Sequence, residues 1–155
     1  MNKILKSKGF TLVEILVVIA IIATLLGLIA INLSSSQQKT SISTTVQTII
    51  SDMKTQQIKA MTSDTEGRPT ASPYSVHFDA NQYVLFYGSA YSSAEPSNFV
   101  VPLPPNLQFT TLINVVFSQT SGSLGSAASV TIQNVTTSEV KTIQLNQYGV
   151  VTGVN

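Results

Sequence analysis

His77 is the single histidine of the chain, and Asp79 follows two residues later. In an extended strand the two would share a face, and the many serines offer hydroxyls, so a Ser-His-Asp arrangement can be drawn on paper. No G-x-S-x-G sequence marks a nucleophile elbow, and no motif brings together a base, its orienting group and oxyanion donors. Patterns that cradle phosphate or hold zinc are also missing, with no G-x-x-x-x-G-K, no G-x-G-x-x-G and no paired His or Cys. Asp79, Asn81 and Glu95 carry oxygens suited to calcium, but their spacing is not that of a calcium loop, and turn chemistry accounts for Asp79 and Asn81. The absence of cysteine excludes a disulfide framework, a thiolate metal site and a cysteine nucleophile. The chain is therefore read as non-enzymatic, with no catalytic residue, metal or cofactor. Tyr83, Phe86, Tyr87, Tyr91 and Phe99 could face a sugar, a base or a partner. Alternate strand residues such as Tyr83, Leu85 and Tyr87 would instead pack beneath a helix.

Glu14 is the residue whose position needs a physical reason. It is the one ionisable side chain within residues 10–33, which are otherwise apolar apart from Thr11, Thr24 and Asn32. As a helix this segment is roughly 36 Å long, enough to cross a hydrocarbon layer of about 30 Å. A charge in such a helix costs on the order of 2.5–3.5 kcal/mol at the bilayer centre and less near the interface. No Lys, Arg or His lies between Gly9 and Gln38 to offset it. If the chain is cut after Gly9, the new ammonium of Phe10 lies four residues before Glu14. It could pair with Glu14 of the same chain or of a neighbour, and the second arrangement would set the register between subunits.

The stretch KSKGFTLVEILVVIAIIATLLG resembles the leader and helix start of type IV pilins and type II secretion pseudopilins. Gly9, Phe10, Thr11, Leu12 and Glu14 fit the family pattern at every position, behind a leader whose basic residues are Lys3, Lys6 and Lys8. The resemblance implies that a prepilin peptidase cuts between Gly9 and Phe10 and methylates the Phe10 amine. It further implies a structural subunit that waits in the lipid bilayer, meets an inner-membrane assembly platform and packs with other pilin or pseudopilin subunits through its N-terminal helix. A secretory signal peptide fits less well: the apolar run is too long, Glu14 interrupts its start, and Ala30-Ile31-Asn32 is a poor cleavage site. The lysines precede the apolar run, which predicts an N-terminus inside a bacterial cytoplasmic membrane and a head outside it, destined for an extracytoplasmic filament.

The elements that must position these residues follow from periodicity. The polar run after Leu33 contains neither Gly nor Pro, so the helix is expected to continue. Ile42, Val46, Ile49, Ile50, Met53, Ile58 and Met61 recur mostly at three- and four-residue steps, an apolar stripe suited to packing on a sheet. The stripe ends near Thr62, before DTEGRP. Thereafter YSVHF, an Asp79-Ala80-Asn81 turn and QYVLFYG read as a hairpin, and LQFTTLI, VVFSQ, SVTIQNV and KTIQLNQYGVV read as further strands. Residues 88–106, rich in proline, read as an exposed loop. The expected fold class is α+β, a long N-terminal helix on a mostly antiparallel head. The expected divisions are a leader over residues 1–9, a transmembrane or filament-core helix over 10–33, an amphipathic continuation over 34–62 and a β-rich head over 63–155.

Composition narrows the partners. Only 10% of residues are charged, so Ser, Thr, Gln and Asn must cover the surface. Removing Lys3, Lys6 and Lys8 from eight basic residues leaves five against seven acidic ones, a formal charge of −2. The order VVFSQTSG, SVTIQNV, IQLNQYGVV is similar to the heads of GspH/FimT-type minor pseudopilins, which implies a minor subunit. DNA-binding members carry basic residues in head and tail, whereas only Lys141 follows Arg68 here. Nucleic acid is accordingly not an expected partner. The alternatives are a DNA-uptake minor pilin and a membrane-anchored binding module using the Tyr-containing loop of residues 88–106.

Overall fold

With no Gly or Pro between residues 28 and 66 to interrupt it, the helix of the computed structural model runs unbroken as α1 (Leu12–Met61). The structure describes residues 11–155, with side chains omitted over residues 27–41. Gly9, Phe10 and the leader lysines Lys3, Lys6 and Lys8 lie outside the described residues. The chain divides into two compact units at Gln37/Gln38, and α1 contributes to both. In the first unit, Leu12, Val13, Ile15, Leu16, Val17, Val18, Ile19, Ile21, Ile22, Leu25 and Leu26 are all exposed. Thr24 does not interrupt this surface with an unmet donor, because its hydroxyl bonds the Ile21 carbonyl at 2.8 Å. Among the described residues no helix is long and apolar enough to cross a membrane. The membrane-length segment expected over residues 10–33 falls partly on residue 10 and on residues 27–33, outside the described side chains.

In the second unit α1 has one dry stripe. Ile42, Val46, Ile49, Met53 and Ala60 are buried at helical spacing. Ile58 and Met61, expected on that stripe, are half-exposed, and Gln56 and Gln57 take the inward places. From Met53 the inward face returns after three or four residues, which selects 56, 57 and 60 rather than 58. The helix stops through a left-handed residue, Ser63 (φ 52°). Asp64 N bonds Lys59 O at 3.0 Å and Ser63 N bonds Ala60 O at 3.1 Å, a Schellman closure four residues ahead of Gly67.

The head contains two antiparallel sheets. The first has the order β3-β2-β1-β5, built from β1 (Tyr74–Asp79), β2 (Gln82–Tyr87), β3 (Phe99–Pro102) and β5 (Asn114–Phe117). The second has the order β4-β6-β7-β8, built from β4 (Leu107–Phe109), β6 (Ala128–Asn134), β7 (Val140–Leu145) and β8 (Val151–Val154). The α+β expectation therefore holds, and β1 and β2 form the expected hairpin, with Asp79 opposite Gln82. Two details differ. LQFTTLI gives only the three residues of β4, and the stretch read as a loop contains β3. That strand is an edge, largely exposed and ended by Pro102, the place where a sheet tolerates a missing N–H.

One core joins the helix stripe to Val76, Phe78 and Tyr83 of the first sheet and to Val130, Ile132, Ile143 and Leu145 of the second. Phe78 meets Phe109 edge-on at 5.0 Å, linking β1 to β4. The opposite side of the β1–β2 hairpin is also dry: Ser75, Val84 and Phe86 are buried, and Tyr91 packs edge-on against Phe86 at 5.5 Å.

Two polar devices fix this packing. Gln57 Nε2 donates to Gly122 O at 3.0 Å and to Tyr148 O at 2.8 Å, tying two distant turns to α1. Gly149 makes the approach possible, since a Cβ there would lie 2.5 Å from Gln57 Nε2 and 2.8 Å from Gly122 O. Tyr83 OH donates to Asp52 at 2.6 Å, fastening β2 to the helix.

Gly149→Ala is predicted to destabilise the head more than Gly125→Ala, by about 1–3 kcal/mol in denaturant unfolding. Both glycines have positive φ, but Gly125 faces open space, so the difference reports the close approach to Gln57. A second prediction concerns alkaline pH. Burial, ahead of the charges of Glu66 and Asp64, pushes the Tyr74 phenol up to about 12. Burial and then the bond to Asp52 raise Tyr83 well above the ordinary phenol range. Both phenols stay protonated in the fold where the unfolded chain ionises. Their contribution is intact below about pH 10 and is lost as pH climbs toward their folded values. The unfolding midpoint should fall above about pH 10, and the double variant Tyr74→Phe/Tyr83→Phe should flatten that fall.

Candidate assembly site at the helix N-terminus

The first turn of a helix leaves backbone N–H groups without intrahelical partners, and T-x-x-E ahead of an apolar run is a sequence that supplies them. Thr11 and Glu14 do so. Glu14 N donates to Thr11 Oγ1 at 3.3 Å, while Thr11 N and Thr11 Oγ1 donate to Glu14 Oε2 at 3.1 and 3.0 Å. Ile15 N bonds Thr11 O at 3.3 Å to begin the helical ladder. This is a reciprocal capping box with Thr11 at the cap and Glu14 three residues in. The carboxylate also sits at the positive end of the helix dipole. Glu14 therefore has neutral partners inside its own turn, which reasoning from missing cations did not anticipate. The signal was the T-x-x-E spacing itself. The other proposed partner of Glu14, the Phe10 amine, lies outside the described residues.

Around this carboxylate the helix is apolar on every side, with exposures from 79% at Leu12 to 49% at Val18. A helix that is apolar all round belongs in an apolar surrounding. Burying several such side chains contributes on the order of 10 kcal/mol, at about 1.5–3 kcal/mol for each one fully covered. That exceeds the cost of carrying one carboxylate at the helix edge.

The other sequence candidates are held by local structure. His77 Nδ1 lies 2.6 Å from Asn114 Oδ1, and its ring stacks on Tyr91 at 3.9 Å with planes 11° apart. Asp79 accepts from Ala80 N at 2.7 Å, and Glu95 accepts from Ser97 Oγ at 3.2 Å. Among the described residues His77, Asp79 and a serine thus form no relay in the hydrogen-bond pattern. Among the described residues no group of three or more His, Asp or Glu side chains could hold a metal ion. Of the aromatic set, Tyr83 is core, Tyr91 covers its own sheet, and Phe99 stays 65% exposed.

Residues 4–30 match the family model of the prokaryotic N-terminal methylation motif. The match supports a type IV pilin-like protein. It takes in Gly9, Phe10, Thr11, Leu12 and Glu14, so the capping box and the motif share residues. A leader of this type implies processing by a prepilin peptidase and assembly with other pilins. It also indicates a structural subunit, first membrane-anchored and then pilus-associated. No curated protein and no solved structure matches the chain.

Replacing Thr11 by Ala should weaken the first turn by about 0.5–2 kcal/mol, whereas Thr11→Ser should nearly preserve it. Amide hydrogen exchange of residues 12–15 in detergent reads the difference: faster exchange is expected in Thr11→Ala alone.

Proposed function

We propose that the chain is a minor subunit of a type IV pilus-like filament, acting in type II secretion or pilus biogenesis. A prepilin peptidase removes residues 1–9 by cutting between Gly9 and Phe10 and methylates the Phe10 amine. Residues 10–33 then hold the subunit in the cytoplasmic membrane, head outward, until an assembly platform transfers the helix laterally into a bundle of related helices. The reading is carried by one observation: a carboxylate fixed at the N-terminal edge of a helix whose described residues are apolar and exposed all round. A membrane anchor needs the apolar surface, but its first turn could be capped by Thr11 without a charged group.

In the filament the Phe10 ammonium would meet Glu14 of the same or an adjacent subunit. The capping box supports this role because it limits where the carboxylate can point, which lowers the entropy lost on pairing. In an apolar bundle a pair between adjacent subunits would set axial register, since a slip of one turn leaves both charges unmet at a cost of about 3–5 kcal/mol. The GspH/FimT-like order of head strands favours a minor subunit. The head gives little support to a DNA-uptake role, because two of its few cations, Lys59 and Arg68, are both engaged by Glu66 at 2.6 and 2.8 Å.

Glu14→Ala is expected to be cut and inserted normally but to enter sheared filaments at one-tenth of the wild-type level or below, as loss of about 1.4 kcal/mol or more requires. Immunoblots of sheared and membrane fractions supply the measurement. An unchanged filament fraction would remove Glu14 from assembly and leave the protein as an anchored binding module.

A further inference from the structure

A second site lies in the head, away from the leader motif. Arg68 is the single arginine of the chain, and its guanidinium is held in place. It lies 4.2 Å over the Tyr87 ring, and its Nη1 donates to Glu66 Oε2 at 2.8 Å and to Thr65 O at 3.4 Å. Lys59 Nζ meets the other oxygen of the same carboxylate at 2.6 Å. A guanidinium has five N–H donors and an ammonium three, so one carboxylate leaves most of them unused. Among the described residues no hydrogen bond employs Arg68 Nε or Nη2.

Lys59, Glu66 and Arg68 line a cavity of about 300 Å³ together with Leu85, Tyr87 and Phe99. Leu85 and Phe99 are directly opposite each other on β2 and β3, so their side chains share one face. Phe99 keeps 65% of its surface in solvent. The cavity thus has a cationic wall and an apolar wall. Two cations against one carboxylate give the first a formal charge of +1. Two other acids of this region are engaged elsewhere: Asp64 accepts from Glu66 N at 2.9 Å, and Glu95 accepts from Ser97 Oγ at 3.2 Å. Glu66 is the one carboxylate whose charge bears on Arg68. A surplus of one charge suits a monoanion and not a run of phosphates, and the planar donor fork of an arginine matches a carboxylate.

We propose that this cavity binds an organic monocarboxylate with an apolar body. The carboxylate accepts from Arg68 and Lys59, and the apolar body covers Leu85 and Phe99. A free arylalkanoic acid and a peptide terminus ending in an apolar residue share this chemistry. The assignment does not depend on the filament reading, because every residue in it belongs to the head.

The test titrates the full chain in zwitterionic detergent at neutral pH, read by NMR at the Arg68 Nε–H, unambiguous because the chain has no other arginine, and at the Leu85 methyls. The probes are hydrocinnamate and N-acetylphenylalanine, each beside its uncharged amide, with inorganic phosphate as a control. At least one acid should shift both signals saturably, and its amide should bind at least tenfold more weakly. Response to hydrocinnamate alone identifies a free acid as the ligand, and response to N-acetylphenylalanine alone identifies a chain terminus. Phe99→Ala and Lys59→Gln should each weaken the acid about three- to tenfold. Phe99 is exposed and Lys59→Gln leaves the Arg68–Glu66 pair intact, so unchanged unfolding midpoints should accompany both losses. The proposal is overturned if neither acid shifts the signals or if an amide matches its acid. Phosphate binding as tightly as the acids, or affinity untouched by both replacements, also overturns it.

Discussion

The apolar surface of the N-terminal helix is the constraint from which the rest follows. Leu12, Ile15, Leu16, Ile19, Ile22 and Leu26 are exposed, and so are the aliphatics between them. No rotation of the helix hides one face while wetting another. Lipid, or other helices of the same kind, can cover such a surface on all sides. The single carboxylate at its start is then costly unless its hydrogen bonds are met, and Thr11 meets them within the first turn. The same carboxylate remains available to an ammonium, so one side chain both begins the helix and carries the only acidic charge of the apolar run.

The head depends on a different use of the same helix. From Ile42 onward α1 is wet on most sides and dry along one stripe, and both sheets complete their cores on it. The contacts that choose one packing are polar. Gln57 holds the turns at Gly122 and Tyr148, Asp52 holds Tyr83, and Gly149 keeps the space that Gln57 needs. Apolar burial supplies most of the free energy, while these bonds fix how the helix and sheets register.

Much of this was legible from residue patterns. Period-two alternation located the β1–β2 hairpin, β6 and β7, and Ile42, Val46, Ile49 and Met53 announced the buried stripe. Gln56 and Gln57 were not legible, because a search for apolar residues passes over an amide whose partners are carbonyls far away in sequence. It therefore admits Ile58, which faces out. β3 was hidden by the prolines in and around it and by its exposure as an edge strand. The end of the helix near Thr62 was legible from DTEGRP, but its closure through Ser63 was not, since a left-handed Ser is an uncommon substitute for Gly. At the candidate site, Glu14 was found through its cost, but its partner Thr11 was seen only as part of a motif. The T-x-x-E spacing was sufficient to assign the capping box.

The central claim is that residues 10 onward form the mature polymerising chain, and its most direct measurement is intact mass with N-terminal sequencing of protein recovered from membranes. The account predicts a chain that starts at Phe10 and carries one added methyl group on its amine. A chain that starts at Met1, or near Ser36 after removal of the whole apolar segment, would contradict it.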